Sequence, residues 1–555
     1  MRGGCGSGLG GIGVDRRFVG LLVLTGLPPA VEASVLVGLG FVAAEGLAPQ
    51  AAAVWPYDTY HDLRWLFVYH DSWLSFGLWF TFLVVSRGLF HTVLVMLAWP
   101  AEVTRPPLRW LVGRNLGLAL VVAFFVAPWA LVSVAASVVA LSWVLFASLL
   151  PLFLIAPFLQ RAAVVTPWWR GLPSAALVGW SLLNFVVLTV AGAVCWSVPT
   201  AWTVPVAAGA GVVNGLLWHR TLRAALFAPR TRWARVPVTP LAALLSLAVP
   251  LVIPPLVQVV PGAHVRVETV VAEQSLPPQV RHALVVLAGY GSAYTGEEPT
   301  DPRVQRFSYR GLGPDHRPLP YRPADTGISV ADSVRLLHQQ VESLHRRTGR
   351  RIVLVGESEG AMVARTYLDR DPHPAVEMLA MFSPLINAGR AYYPPPDRNQ
   401  GYGVVTGWQL RAVFRLVGLA GGPDNGPDEP FIRSLLDDAP FYRNQLMCPV
   451  PGVRMVAFLP TTTATEAPPG QYTRIPVFQT PGVHAGFLHR APVQDHLVTF
   501  LANADVSQLR GEYELLQRLG AAWQAPPLAI HANPAWAHNR QPDPAFTGRV
   551  CLPPD

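Results

Sequence analysis

Lysine is absent: all 42 basic residues of this 555-residue chain are arginine. Charge of either sign is scarce. Only 14% of residues are charged, against roughly 25% in an ordinary soluble protein. That shortage excludes a disordered polar chain, which needs high charge and few apolar side chains. The four cysteines are too few for a disulfide scaffold. No Cys/His spacing suggests zinc, and the reading assigns no metal and no cofactor. The 47 glycines follow no collagen period. What the chain has instead is apolar residues, 51% of the total, with a mean hydropathy of +0.34. An entirely soluble protein is therefore not expected. A pI near 9.6 could point to nucleic acid. Yet the net charge of +8 arises wholly before residue 262, with 15 Arg against 7 Asp and Glu, while the remainder balances at 27 against 27. No stripe of interleaved Arg and aromatic residues accompanies it, so no nucleic-acid partner is expected.

Apolar runs fill residues 18–260, and a membrane-spanning helix needs about 20 such residues. Seven spans are read, at 18–44, 73–99, 116–138, 139–160, 173–198, 202–218 and 240–260. The stretch 116–160 is too long for one crossing and is expected to fold back as a hairpin. Arginine is divided unevenly between the loops. The N-terminus and the loops after spans two, four and six hold 13, whereas the intervening loops hold Arg64 alone, beside Glu45, Asp58, Asp62 and Asp71. Because cytoplasmic loops are enriched in Arg, the N-terminus is expected inside, and seven crossings place the C-terminal half outside. No cleaved signal peptide is read at residues 1–15. Inside span two, Arg87 and His91 share a helix face. They form either a polar site in the bundle or, as expected here, a snorkelling Arg87 at the cytoplasmic edge. Glu32 follows Pro28-Pro29 and marks a break in span one. Cys448 and Cys551 can pair if their half is outside, or remain thiols.

From residue 283 the texture changes. Short β-branched runs (283–287, 304–309, 351–355, 376–382, 454–459, 475–479) alternate with helical patterns, the clearest at 329–347 with Val330, Val334, Leu337, Val341 and Leu344 on one face. This alternation predicts a mostly parallel, doubly wound sheet. The expected organisation is a multi-pass α-helical membrane domain (1–261), a linker (262–282), an α/β domain (283–504) with a cap-like insertion (386–450), and a C-terminal helix with a Pro-rich tail (505–555). No internal repeat is seen.

Gly356-Glu357-Ser358-Glu359-Gly360 matches G-x-S-x-G. It directly follows an apolar strand and directly precedes a helix, the setting in which two glycines allow a sharp turn that exposes the serine oxygen. A serine nucleophile needs a base, and the base an orienting acid. His484 follows the last predicted strand at the same sheet edge. His489 and His496 are rivals placed in or beside the next helix. Glu466 is the carboxylate after the strand preceding the histidine strand, with Asp437, Asp438 and Asp397 as alternatives. The N–H groups of Tyr290 and Glu359 are the expected oxyanion donors. Negative charge on Glu357 and Glu359 disfavours such a site unless it points away or pairs with Arg.

The turn Leu287-Ala288-Gly289-Tyr290-Gly291, the elbow at Gly356 to Gly360 and the His484 loop, in chain order Ser, acid, His, resemble the α/β-hydrolases of the lipase/esterase kind over 283–504. The resemblance implies a serine nucleophile, an acyl-enzyme and no cofactor. The expected function is that of a membrane-anchored serine hydrolase acting outside the cytoplasm on a lipid, cell-envelope or small ester. The alternatives are an acyltransferase with the same triad and a non-catalytic hydrolase-like binding module. The departures from the family are the two Glu flanking Ser358 and the lack of an Asp at the acid position.

Overall fold

A computed structural model describes residues 16–139, 142–227, 236–246, 275–386, 388–419, 426–465, 475–484, 486–488, 490–548 and 551. The N-terminal half is a bundle of α1 (Arg16–Leu39), α3 (Trp73–Ala98), α4 (Leu108–Val139), α5 (Ser142–Ala162), α6 (Ala175–Cys195) and α7 (Thr200–Leu226), with a shorter α2 (Tyr57–Val68) inside it. Five of these, α1, α3, α4, α6 and α7, are long and apolar enough to cross a membrane. The expected fold-back in 116–160 falls between α4 and α5. Most of the expected span 240–260 lies outside the described residues.

The segment between α1 and α3 departs from the sequence reading. Residues 45–71 look like a polar external loop. In the structure a 3-10 helix (Val42–Ala52) and α2 form a buried hairpin, the 3-10 helix packed against α1, α6 and α7 and α2 against α3 and α4. At its tip the Trp55 ring stacks on His91 at 3.8 Å, and the Trp55 carbonyl accepts from Gln160 near the far end of α5. Buried irregular backbone of this kind is tolerated at membrane depth only inside protein. The hairpin supplies partners for the ionisable groups of the bundle. Arg87 does not snorkel: it donates to both oxygens of Asp62 at 2.6 Å and to the Ala51 carbonyl. His91, fully buried, contacts Asp58 at 2.8 Å.

Among the described residues the C-terminal half has six parallel strands: β1 (Ala283–Leu287), β2 (Val304–Arg306), β3 (Ile352–Glu357), β4 (Val376–Phe382), β5 (Arg454–Pro460) and β6 (Val477–Thr480). Their order is β2-β1-β3-β4-β5-β6. The strands read as continuous apolar runs because both faces are covered. Ala283, Val285 and Leu287 face α8 (Val330–Thr348) and α9 (Glu359–Arg370), while Leu284, Val286, Val353 and Val355 pack with α13 (Ala491–Leu501) on the other side. Chain order reverses between β1 and β3, which opens a crevice at their carboxyl ends, where such sheets bind ligands.

That edge of the sheet is turned toward the bundle. After β4, the Gly389 N–H donates to the Val138 carbonyl at the end of α4. The insertion, with α10 (Val404–Leu419), α11 (Pro430–Asp437) and α12 (Ala439–Gln445), forms much of the joint. Val405 N–H donates to His70, and Thr406 to the Phe67 carbonyl. The segment after α14 (Gly511–Ala521) is threaded between the halves. Trp523 stacks on Phe185 of α6 at 4.5 Å, Arg64 donates to the Gln524 carbonyl, and Tyr69 donates to that of Pro527. The tail is held at its far end by a disulfide between Cys448 and Cys551.

Candidate active site

The chain turns from β3 into α9 at Ser358, whose backbone has φ 53° and ψ −115°. A non-glycine residue at positive φ is strained by about 1–3 kcal/mol and persists only where its surroundings hold it. Here the Ser358 N–H donates to the Phe382 carbonyl at the end of β4. Gly356 and Gly360 allow the bend for a steric reason. A Cβ on Gly356 would lie 2.5 Å from the Gly360 carbonyl oxygen, and one on Gly360 would lie 2.4 Å from that of Leu287.

The His484 loop approaches from beyond β6 and places Nε2 2.9 Å from the Ser358 oxygen. Burial pushes the imidazole down to about 4, so it is neutral at pH 7. A neutral ring that accepts the serine proton at Nε2 carries its own proton at Nδ1. Nδ1 is buried and has no hydrogen-bond partner among the described residues. An orienting acid would sit there. Glu466, the acid expected from sequence, lies outside the described residues, as does His489. Asp438 is engaged elsewhere, paired with Arg370 at the C-terminal end of α9. That is twelve residues from the nucleophile, or about 18 Å along a helix. Asp397 is exposed on its loop, and Asp437 is exposed at the end of α11. His496 packs its ring, tilted, on Phe478 at 4.0 Å, with Nδ1 2.6 Å from the Pro492 carbonyl of its own helix.

The turn after β1 lies directly against Ser358: a Cβ on Gly289 would be 3.1 Å from Ser358 Cβ and 3.7 Å from its oxygen. The neighbouring Tyr290 is held by the insertion. Its ring stacks on Phe431 at 5.5 Å and its hydroxyl donates to Glu429. Sequence reasoning missed Glu429 and Phe431, which lie some 140 residues from Tyr290 in a segment without local pattern. Glu359, on the other flank, opens α9, so its N–H belongs to the unsatisfied first turn.

Among the described residues neither flanking Glu pairs with Arg. Both are buried instead. The Glu359 carboxyl is driven well above the usual carboxylate range by burial and by the charge of Glu429. Glu357 points to the other side of the strand and accepts the Phe487 N–H at 3.0 Å. Burial raises it to about 7. The charge beside the oxyanion region is thus smaller than the sequence implies.

No family model matches the chain, and no curated protein matches it. Among solved structures, the chain is similar over 40% of its length, and 95% of the other, to a monoacylglycerol lipase of Paleococcus ferrophilus, with 12% identity and a TM-score of 0.22. It is similar over 41% of its length, and 97% of the other, to a lipase-esterase related protein from Clostridium acetobutylicum, with 10% identity and a TM-score of 0.22.

Proposed function

We propose that the chain is a membrane-embedded serine hydrolase that cleaves a carboxylic ester, with its α/β domain on the extracytoplasmic side. The observation that carries this reading is the 2.9 Å approach of a neutral, buried His484 to a serine held at positive φ. Ser358 attacks the ester carbonyl while His484 takes its proton. The N–H groups of Tyr290 and Glu359 hold the oxyanion. Collapse expels the alcohol, which receives that proton, and water releases the acyl group from Ser358 by the same route. Glu466 is assigned to orient His484 through Nδ1.

The side assignment does not depend on counting spans. The α/β domain and tail join the bundle at the end of α4, at Phe185 and Thr189 in the middle and C-terminal part of α6, and at residues 67–71 before α3. The Arg-rich loops lie at the opposite ends of those helices. There Arg114 donates to the carbonyls of Ala162 and Val165, and Arg161 donates to that of Arg170. By the arginine bias of cytoplasmic loops, the α/β domain faces outward. A catalytic edge turned toward the bilayer suits an ester of a lipid or an envelope component.

A fluorophosphonate probe applied to the purified full-length protein tests the reading. Wild type should be labelled and Ser358→Ala should not. Labelling that survives the substitution refutes the nucleophile.

A further inference from the structure

We propose a second ligand site in the membrane half, a lateral pocket between α1 and α3 that takes one single-chain amphiphile with a neutral, hydroxyl-bearing head. It does not depend on the chemistry at Ser358. The cavity measures about 780 Å³, within the roughly 300–1,000 Å³ of small-ligand pockets. Its walls are apolar, with Leu36 and Leu83 buried and Val35 and Phe82 open to the lipid side. The C-terminal segment closes one end through Ala529 and Phe546.

The other end is polar and built. His61, with a side chain 3% exposed, lies between two carboxylates, 3.0 Å from Glu32 through Nε2 and 3.0 Å from Asp62 through Nδ1. Asp62 is further held by Arg87. Glu32 and Asp62 both line the cavity, and Glu32 uses Oε1 for His61, leaving Oε2 as an acceptor at the wall. The Ser86 hydroxyl lies beside them but donates back to the Leu83 carbonyl. An acceptor-rich end selects a head that donates hydrogen bonds. A phosphate or carboxylate head would bring unpaired negative charge against two carboxylates, which is strongly unfavourable away from water. The alkyl wall takes the chain, and the glycerol of a monoacylglycerol has the matching donors. The pocket is the kind of lateral entry that a bilayer-borne molecule can reach, and it is roofed by the segment that joins the two halves.

The test uses the full chain in phosphatidylcholine nanodiscs and a monoacylglycerol with a diazirine in its acyl chain, crosslinks being mapped by mass spectrometry. Crosslinks are expected on α1 and α3 at the pocket in Ser358→Ala, which leaves the ester of the probe intact. Val35→Trp at the mouth and Leu83→Trp in the wall should remove them. Glu32→Gln, which keeps an oxygen for His61, should weaken them by about tenfold, the worth of one charge-assisted hydrogen bond. An alkyl phosphate probe of equal chain length should label the pocket poorly. Crosslinks spread over all lipid-facing helices, insensitivity to both Trp variants, or equal labelling by the alkyl phosphate would overturn the proposal. Retained elution volume and circular dichroism establish that each variant is folded.

Discussion

Glu357 offers a test in which sign and size both follow from the structure. It ends β3 beside the nucleophile, is buried, and accepts the Phe487 N–H of the histidine loop. Burial outweighs that hydrogen bond and raises the carboxyl from 4.5 to about 7. Below pH 4.5 the folded and unfolded chains are both protonated and the residue is neutral to stability. As pH rises, the unfolded carboxyl ionises first, the folded one stays protonated, and stability falls. Above pH 7 both are ionised and the loss is complete. A displacement of this size corresponds to about 3 kcal/mol. Glu357→Gln keeps an oxygen for Phe487 and cannot ionise. It should therefore stabilise the α/β domain by about 3 kcal/mol at pH 8 and by less than about 1 kcal/mol at pH 5. At about 2–4 °C per kcal/mol for a domain of this size, the gain in Tm at pH 8 is about 6–12 °C. Thermal unfolding of both proteins at the two pH values measures it. A variant that gains equally at pH 5 and pH 8, or that loses stability at pH 8, would show that Glu357 is ionised in the folded state without penalty.

The other expectations concern the elbow, the acid and the tail. Gly360→Ala puts a methyl 2.4 Å from the Leu287 carbonyl, so β1 and α9 cannot both keep their places; fluorophosphonate labelling should be lost, and wild-type rates would contradict the tight packing. Glu466→Gln should slow ester hydrolysis by about 10²–10⁴-fold through a misoriented imidazole, whereas Asp438→Asn, at the far end of α9, should stay within a few-fold; the reverse ranking would reassign the acid. Cys551→Ser opens a loop with a sequence separation of 103 residues and should destabilise by about 2–4 kcal/mol, read as a lowered Tm with or without reductant in the variant and only with reductant in wild type. A reporter fused after Asp555 should be active only outside the cytoplasm.

The six strands were legible because parallel strands covered on both faces are continuous apolar runs, and the boundaries differ by only a few residues. Strand β2 is the exception: the run 304–309 predicts six residues, but only Val304–Arg306 pair, at the sheet edge. The bend at Ser358 was legible because its pattern is local, with two glycines, a strand before and a helix after, and the approach of His484 because its loop follows the last strand at the same sheet edge. The long bundle helices were legible by composition. The hairpin at 42–68 was not, because a polar segment between two spans reads as an external loop unless its partners are known. Those partners are Glu32, Arg87 and His91, up to some 30 residues away on other helices. The clamp on Tyr290 was hidden for the same reason, since it closes only when the insertion folds over the β1 turn.

The hairpin also gives the extent of the membrane half a physical reason. Anchoring a domain needs one helix, yet this chain spends some 240 residues on the bundle. Asp58, Asp62, Arg64 and Arg87 cannot face hydrocarbon, where an isolated charge is several kcal/mol unfavourable. They can be carried through the bilayer only inside a wall of helices, with α1, α3 and α4 on the described sides. The same column reaches the α/β domain, because Arg64 binds both Gln50 and the Gln524 carbonyl, and Gln524 accepts from Arg390 of the loop after β4. A polar core inside the bundle is thereby bonded to a segment that leaves the carboxyl edge of the sheet, the edge that carries Ser358. The helices beyond a single anchor are what such a connection requires. Replacing Arg64 with Leu would remove its hydrogen bonds to the Gln524 carbonyl and to Gln50 Oε1 in a buried joint, so it should loosen the two halves rather than the sheet. Faster proteolysis between residues 505 and 530, with the Ser358 labelling rate altered but the strands still protected from amide exchange, would be the signature of that coupling. An unchanged cleavage pattern would mean that the joint holds without it.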